Sequence, residues 1–215
     1  MKPYTLVSLF LLAGCASWAD TLLYSNVTNN TGFTDSFIQN GLVEAGDQIT
    51  LNTPNSFFAA QTAETSLFNS AGDGGTADVT LRLYAVDALN NLGSLLLSST
   101  LVGFNIAADT SAPLTFANLN TIVPSTLVWT LSYTTTDPIA LELEAFDPPT
   151  VGSSDNTTVW WDTGSGLTLT SPGFDTENYN FQLSGADVPE PGCLILTIFG
   201  IAGLSAGRLR RPIRR

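Results

Sequence analysis

Two glutamates alternate with leucines in Leu141-Glu142-Leu143-Glu144. On an extended strand, residues two apart share a face and start roughly 7 Å apart. That lies near the carboxyl separations used in glycoside hydrolysis, where one group acts as acid and the other as base or nucleophile. The same alternation is what a half-exposed strand produces, and that is the reading taken. Other reactive groups are sparse. The chain has no histidine, and its two cysteines, Cys15 and Cys193, sit near its ends. Its only lysine is Lys2. The body therefore has no imidazole triad, thiolate nucleophile or Schiff base, and zinc, copper and haem lose their usual ligands. No catalytic residue, metal or cofactor is assigned, and the chain reads as a non-enzyme.

Two further residue sets could bind rather than react. Asp73 and Asp78 flank a Gly-rich turn at 71–75, and Asp147, Asp155 and Asp162 surround a second loop. Loop carboxylates suit calcium. Neither set completes a calcium-loop pattern, so ordinary turn aspartates are favoured, with Asp73 and Asp78 as the calcium candidates. Trp160 and Trp161, beside Asp162, are candidates for stacking on sugar rings, with Trp129 and Tyr133 as further aromatics. Adjacent strand residues point to opposite faces, so one tryptophan is expected in the core and one outside. A carbohydrate-binding module of jelly-roll type is the alternative reading.

The elements that would carry these residues are strands. Val79, Leu81 and Leu83 alternate with Thr80, Arg82 and Tyr84. Leu127, Trp129, Leu131 and Tyr133 form a second alternating set, and Tyr179, Phe181 and Leu183 a third. Period two predicts strands with one apolar face. Further strands are expected at 21–25, 48–51, 94–101, 140–146 and 157–161, with a short helix or loop within 54–69. Gly-, Pro- and Asn-rich turns separate them. Many short strands and turns predict an all-β antiparallel sandwich or jelly roll over 20–185, with 185–187 as a hinge.

Charge sharpens the class. Residues 20–187 hold eighteen of the nineteen acids and one cation, Arg82, a formal charge of −17. Such a surface repels nucleic acid and anionic membrane.

Both ends read as targeting segments. Residues 1–19 have a positive start at Lys2, an apolar stretch at 6–12 and a small-residue site at Ser17-Trp18-Ala19, the pattern of a secretory signal peptide. Leu12-Ala13-Gly14-Cys15 also matches a lipobox, in which Cys15 would be lipidated. Cleavage after Ala19 is favoured over lipidation of Cys15. At the other end, 192–207 is a sixteen-residue run without charge. As a helix it would reach about 24 Å, tolerable for a transmembrane helix flanked by arginines that snorkel. Arg208, Arg210, Arg211, Arg214 and Arg215 follow as a cytoplasmic stop.

Val188-Pro189-Glu190-Pro191, then the apolar run, then the arginines resembles the PEP-CTERM sorting signal of Gram-negative bacteria. The resemblance spans 186–215 and implies an exosortase-type membrane peptidase as partner, with Pro189, Glu190 and Pro191 as the recognition residues. It implies a membrane-inserted precursor in the inner membrane, then release to the cell surface or outside, linked to exopolysaccharide and biofilm matrix. Cys193 in the apolar run and Pro212 among the arginines depart from the usual pattern. A permanent membrane anchor or a lipid anchor is the alternative. Residues 79–84 and 93–97 also resemble the secreted β-sandwich cargo of other PEP-CTERM proteins, including choice-of-anchor type domains. That resemblance carries no functional residue.

Overall fold

Alternating apolar residues become strands whose inward side chains meet across a sandwich. The computed structural model describes residues 20–52, 57–87, 89–155, 157–171 and 178–187, which form strands and turns with no helix. The chain opens with β1 (Thr21–Asn26), β2 (Asn30–Ser36), β3 (Glu44–Thr50) and β4 (Phe57–Asn69). A long hairpin follows, made by β5 (Gly75–Val86) and β6 (Leu92–Ile106). Next come β7 (Thr110–Phe116), β8 (Thr121–Pro124), β9 (Thr126–Thr134) and β10 (Leu141–Phe146). The short strands β11 (Ser153–Ser154), β12 (Val159–Asp162), β13 (Thr168–Thr170) and β14 (Asn178–Tyr179) lead into the last, β15 (Phe181–Asp187).

These strands make two sheets, each antiparallel in every pairing. The first runs β1-β15-β4-β10-β14, with β2 on β10 and β7 and β8 on β4. The second runs β13-β12-β3-β9-β5-β6, with β11 on β3. Val79, Leu81, Leu83, Leu127 and Leu131 of the second sheet pack into one core with Leu23, Phe58, Leu67 and Leu183 of the first. Trp129 of β9 stacks on Phe181 of β15 at 4.3 Å and 8°. Tyr179 meets the same indole edge-on at 6.4 Å. The stacked pair is the clearest bond between the layers, as expected for face-to-face sheets.

Two expectations are corrected. The segment expected to hold a short helix or loop within 54–69 contains instead the thirteen-residue strand β4, from Phe57 to Asn69. Its Ala, Gln and Glu content favours helix locally, but β15 and β8 pair with it on opposite sides. A bulge opposite Ser184 and Gly185 interrupts the period-two pattern, which hid the strand. The hinge expected at 185–187 is also strand. Gly185, Ala186 and Asp187 pair with Ala60, Ala59 and Phe58. A Cβ on Gly185 would sit 2.3 Å from the Ala59 carbonyl oxygen, so glycine permits that close approach. Strands β2, β7, β8, β11 and β13 lay outside the strand expectations, and β3 begins at Glu44 rather than at 48.

The signal peptide at 1–19, the sorting motif and arginine cluster, and the expected membrane helix at about 192–207 lie outside the described residues. Among the described residues, no helix is long and apolar enough to cross a membrane.

Candidate functional site

The most developed polar constellation lies on the outer face of the second sheet. Neighbouring strands β3, β9 and β5 bring Glu44, Thr130 with Ser132, and Arg82 with Tyr84 to one patch. Arg82 Nη1 donates to Glu44 Oε2 at 2.6 Å and to Ser132 Oγ at 2.9 Å. The Tyr84 hydroxyl donates to Glu44 Oε1 at 2.9 Å, and the Thr130 hydroxyl donates to the same oxygen. Burial first, and then the Glu44 charge, pushes the Tyr84 phenol up to about 12. The patch thus holds one satisfied carboxylate against the body's single cation. Sequence reading missed it because its members are far apart in the chain. Their shared outward phase on β5 and β9 was the available signal.

Removing the cation tests how tightly this patch is held. The side chains of the pair are only 29% and 12% exposed. Arg82→Met leaves Glu44 without its counter-charge and is expected to cost about 1–3 kcal/mol. In the double variant with Glu44→Gln, part of that loss is expected to return. Urea unfolding of the two variants and the parent measures both steps.

Trp160 adjoins the patch through Gly46, its register partner on β3, which in turn faces Thr130 on β9. A Cβ on Gly46 would fall 1.9 Å from the Trp129 carbonyl oxygen. Trp160 is 4% exposed, and its Nε1 is buried without a hydrogen-bond partner among the described residues. Trp161 turns the other way, packs against the core and donates its Nε1–H to the Tyr179 hydroxyl at 2.9 Å. The two indoles do take opposite faces, with Trp160 buried and Trp161 partly buried. Trp129 is fully buried in the core, and Tyr133 is packed against it.

Glu142 and Glu144 share the outer face of β10 but are only 7% and 8% exposed, so the half-exposed strand expected here is instead buried on both faces. They sit at a fork in the first sheet. Strand β15 pairs with β4 up to Thr65, and β10 pairs with β4 from Leu67 onwards. The Ser66 and Ser111 hydroxyls donate to Glu144 Oε2, the second at 2.6 Å. The Asn180 side-chain amide donates to Ser66 Oγ at 2.7 Å. The Thr34 hydroxyl donates to Glu142 Oε2. These carboxylates fill the polar needs of a sheet junction. An open cleft of about 250 Å³ lies elsewhere, lined by Thr76, Ala77, Asp78, Thr134, Thr135 and Thr136.

The aspartates serve their own turns. Asp78 accepts the Gly103 N–H at 2.7 Å, clamping a bulge in β6. Asp73 is exposed, and its carbonyl oxygen accepts from the Asn69 amide at 2.9 Å. Asp155 accepts from Thr157 and Thr158, and Asp162 from the Gly164 and Gly166 N–H groups. Asp147 accepts from Asn178 at 2.9 Å. No group of three or more Asp, Glu, His or Cys is placed to share a metal ion among the described residues.

One titratable residue went unnoticed in the sequence. Asp47 of β3 points into the core and is fully buried. Its Oδ1 accepts the Gln48 N–H at 2.7 Å, while Oδ2 has no partner among the described residues. Burial holds its acid well above the usual carboxylate range. Tyr179, nearby, donates to Asp35 Oδ2 at 2.7 Å, and its phenol is also pushed up by burial and then by Asp35. The inward phase Ala45, Asp47, Ile49 would have revealed Asp47 had the strand been started at Glu44.

No protein-family model matches the chain, and no curated protein matches it. Among solved structures, a chain of the T13 IBDV viral particle aligns at 8% identity and a TM-score of 0.33. The alignment covers 83% of this chain and 42% of the viral one, so the chain spans less than half of that relative. A likeness at that level carries no assignment.

Proposed function

We propose that the chain is an exported, non-enzymatic surface or matrix protein, a sandwich of jelly-roll type delivered by a C-terminal PEP-CTERM sorting signal. An exosortase-type membrane peptidase reads Pro189-Glu190-Pro191 while the apolar run at 192–207 holds the precursor in the inner membrane. The five C-terminal arginines keep the end of the chain on the cytoplasmic side. The product then resides at the cell surface or outside, with exopolysaccharide as its surroundings.

The observation that carries this reading is the tripartite order of the tail: motif, apolar run, arginines. Its placement is favourable. Strand β15 is paired through Asp187, one residue before Val188. A cut near Pro191 removes the tail and falls beyond the last described strand. Within the β-domain, Glu142, Glu144 and Glu44 are engaged in internal hydrogen bonds.

The intact mass of the protein recovered from its native cells tests the proposal. The expected species ends near Pro191 and begins at Asp20. A species retaining Arg215 would make the tail a permanent anchor and overturn the sorting reading. A start at acylated Cys15 would replace the signal-peptide site by a lipid anchor, a single chain of which binds membranes only reversibly.

A further inference from the structure

We infer that the free edge of β6 is a self-association site, at which two copies of this chain pair their β6 strands antiparallel about a two-fold axis. This inference is independent of the sorting tail. It begins with an imbalance among the sheet edges. Strand β6 is fifteen residues long and pairs only with β5 among the described strands. Its other side offers backbone N–H and C=O groups to any strand that approaches.

Edges of this kind are normally blunted by charge, proline, covering chain or brevity. The other edges here have such devices. Strand β7 carries Pro113, β8 ends in Pro124 and β13 has three residues. Strand β2 contains Asp35 and a left-handed Gly32 at φ 80°. Strand β1 is bridged from Ser25 to Val151. In β6 there is no proline and no charge, the uncharged stretch runs from 88 to 108, and the left-handed Gly103 at φ 63° lies in a bulge outside the regular run.

The core is also incomplete along this edge. Leu96, Leu97, Leu101 and Phe104 of β6 pack against the core but are only partly buried. Leu95 is 52% exposed on the same strand. Bulges lie on either side of a regular run in which 97–101 oppose 83–79 of β5. That run, Leu97-Ser98-Ser99-Thr100-Leu101, is the pairing unit. With Ser99 on the axis, Leu97 faces the second copy's Leu101 on the core side. Ser98 faces the second copy's Thr100 on the outer side.

Electrostatics selects the occupant. A body carrying eighteen acids repels its own copies wherever acid faces acid. The β6 edge is an uncharged window, and the single body cation, Arg82, lies one strand inward, in register with Ser98. An identical strand is therefore tolerated here and shape-matched by symmetry, giving a closed dimer rather than a fibre. Five paired residues bury less than the ~800 Å² per partner of a standard interface, so the dimer forms in a concentration-dependent way.

Sedimentation equilibrium of the full chain in detergent over a range of concentrations reads the association. The protein mass is expected to rise towards twice the 22.7 kDa of the monomer. The variant Ser98→Asp with Thr100→Asp places like charges opposite one another at two exposed positions. It is expected to raise the dissociation constant about tenfold, with the near-ultraviolet signal of Trp129 unchanged. In a Cys15→Ser, Cys193→Ser background, Ser99→Cys is expected to give a disulfide-linked dimer on mild oxidation. Val102→Cys, exposed but within the bulge, is expected to give no disulfide-linked dimer under the same conditions. A chain that remains monomeric throughout, or an association that the two aspartates leave unchanged, overturns the inference.

Discussion

Trp129→Ala is expected to destabilise the domain by about 3–5 kcal/mol, the range for removing a buried large aromatic. Trp129 is fully buried. It lies on the central strand β9 of one sheet and stacks on Phe181 of the other. Its Nε1 has no hydrogen-bond partner among the described residues, so the loss is one of contact and cavity rather than of a polar bond. Domains of this size have about 5–15 kcal/mol of total stability, so the variant sits close to unfolding at room temperature. Trp129→Phe keeps a ring against Phe181 and is expected to cost less than half as much. Guanidinium unfolding of both variants, followed by circular dichroism, gives the two values. A loss below about 1 kcal/mol for Trp129→Ala would mean that the two sheets do not depend on this contact.

The second large effect depends on pH. Asp47 is buried in the core, and its acid form is favoured mainly by burial, against the lowering effect of the Gln48 N–H; Asp155 adds a smaller upward push. The folded-state value therefore lies above the ordinary 3.8 of the unfolded chain. Below the unfolded value both states hold the proton, and the contribution of this group to stability is fully present. As pH rises, the unfolded chain releases the proton first, and the fold loses about 1.4 kcal/mol per pH unit until the folded-state value is passed. Other charges face the same region. Asp47 and Asp147 act on the Tyr24 phenol of β1, and Asp35 and Asp47 on the Tyr179 phenol of β14. Asp47→Asn replaces the acid by a neutral group of the same shape. Its stability is expected to be flatter with pH, and it should exceed the parent at neutral pH by more than it does near pH 4. Urea midpoints of both proteins across that range provide the test. Parallel curves would show that Asp47 does not titrate differently in the two states.

The strands legible in the sequence are those with regular alternation and one buried face. Strands β5 and β9 and the pair β14 and β15 appeared with the correct inward residues, because Val79, Leu81, Leu83, Leu127, Trp129, Leu131, Phe181 and Leu183 all lie in the core. Strand β4 was hidden because a bulge breaks its period and its alanines fit a helix as well as a strand. Those alanines are small because Ala60 and Ala63 are fully buried in the core between larger side chains. The shared face of Glu142 and Glu144 was visible, but not the sheet fork that encloses them.

What the sequence determined by itself is local: the strand periods of the body, its acidic surface with one cation, the opposite facing of Trp160 and Trp161, and the order of motif, apolar run and arginines in the tail. Each follows from neighbours a few residues apart. Tertiary structure alone decided which polar groups are enclosed. Glu44 meets Arg82 across three strands, Asp47 is sealed beneath the opposite sheet, and β6 is left with an edge open among the described strands. Those outcomes depend on which distant strand lies alongside or above a residue, and side-chain period carries no record of that pairing.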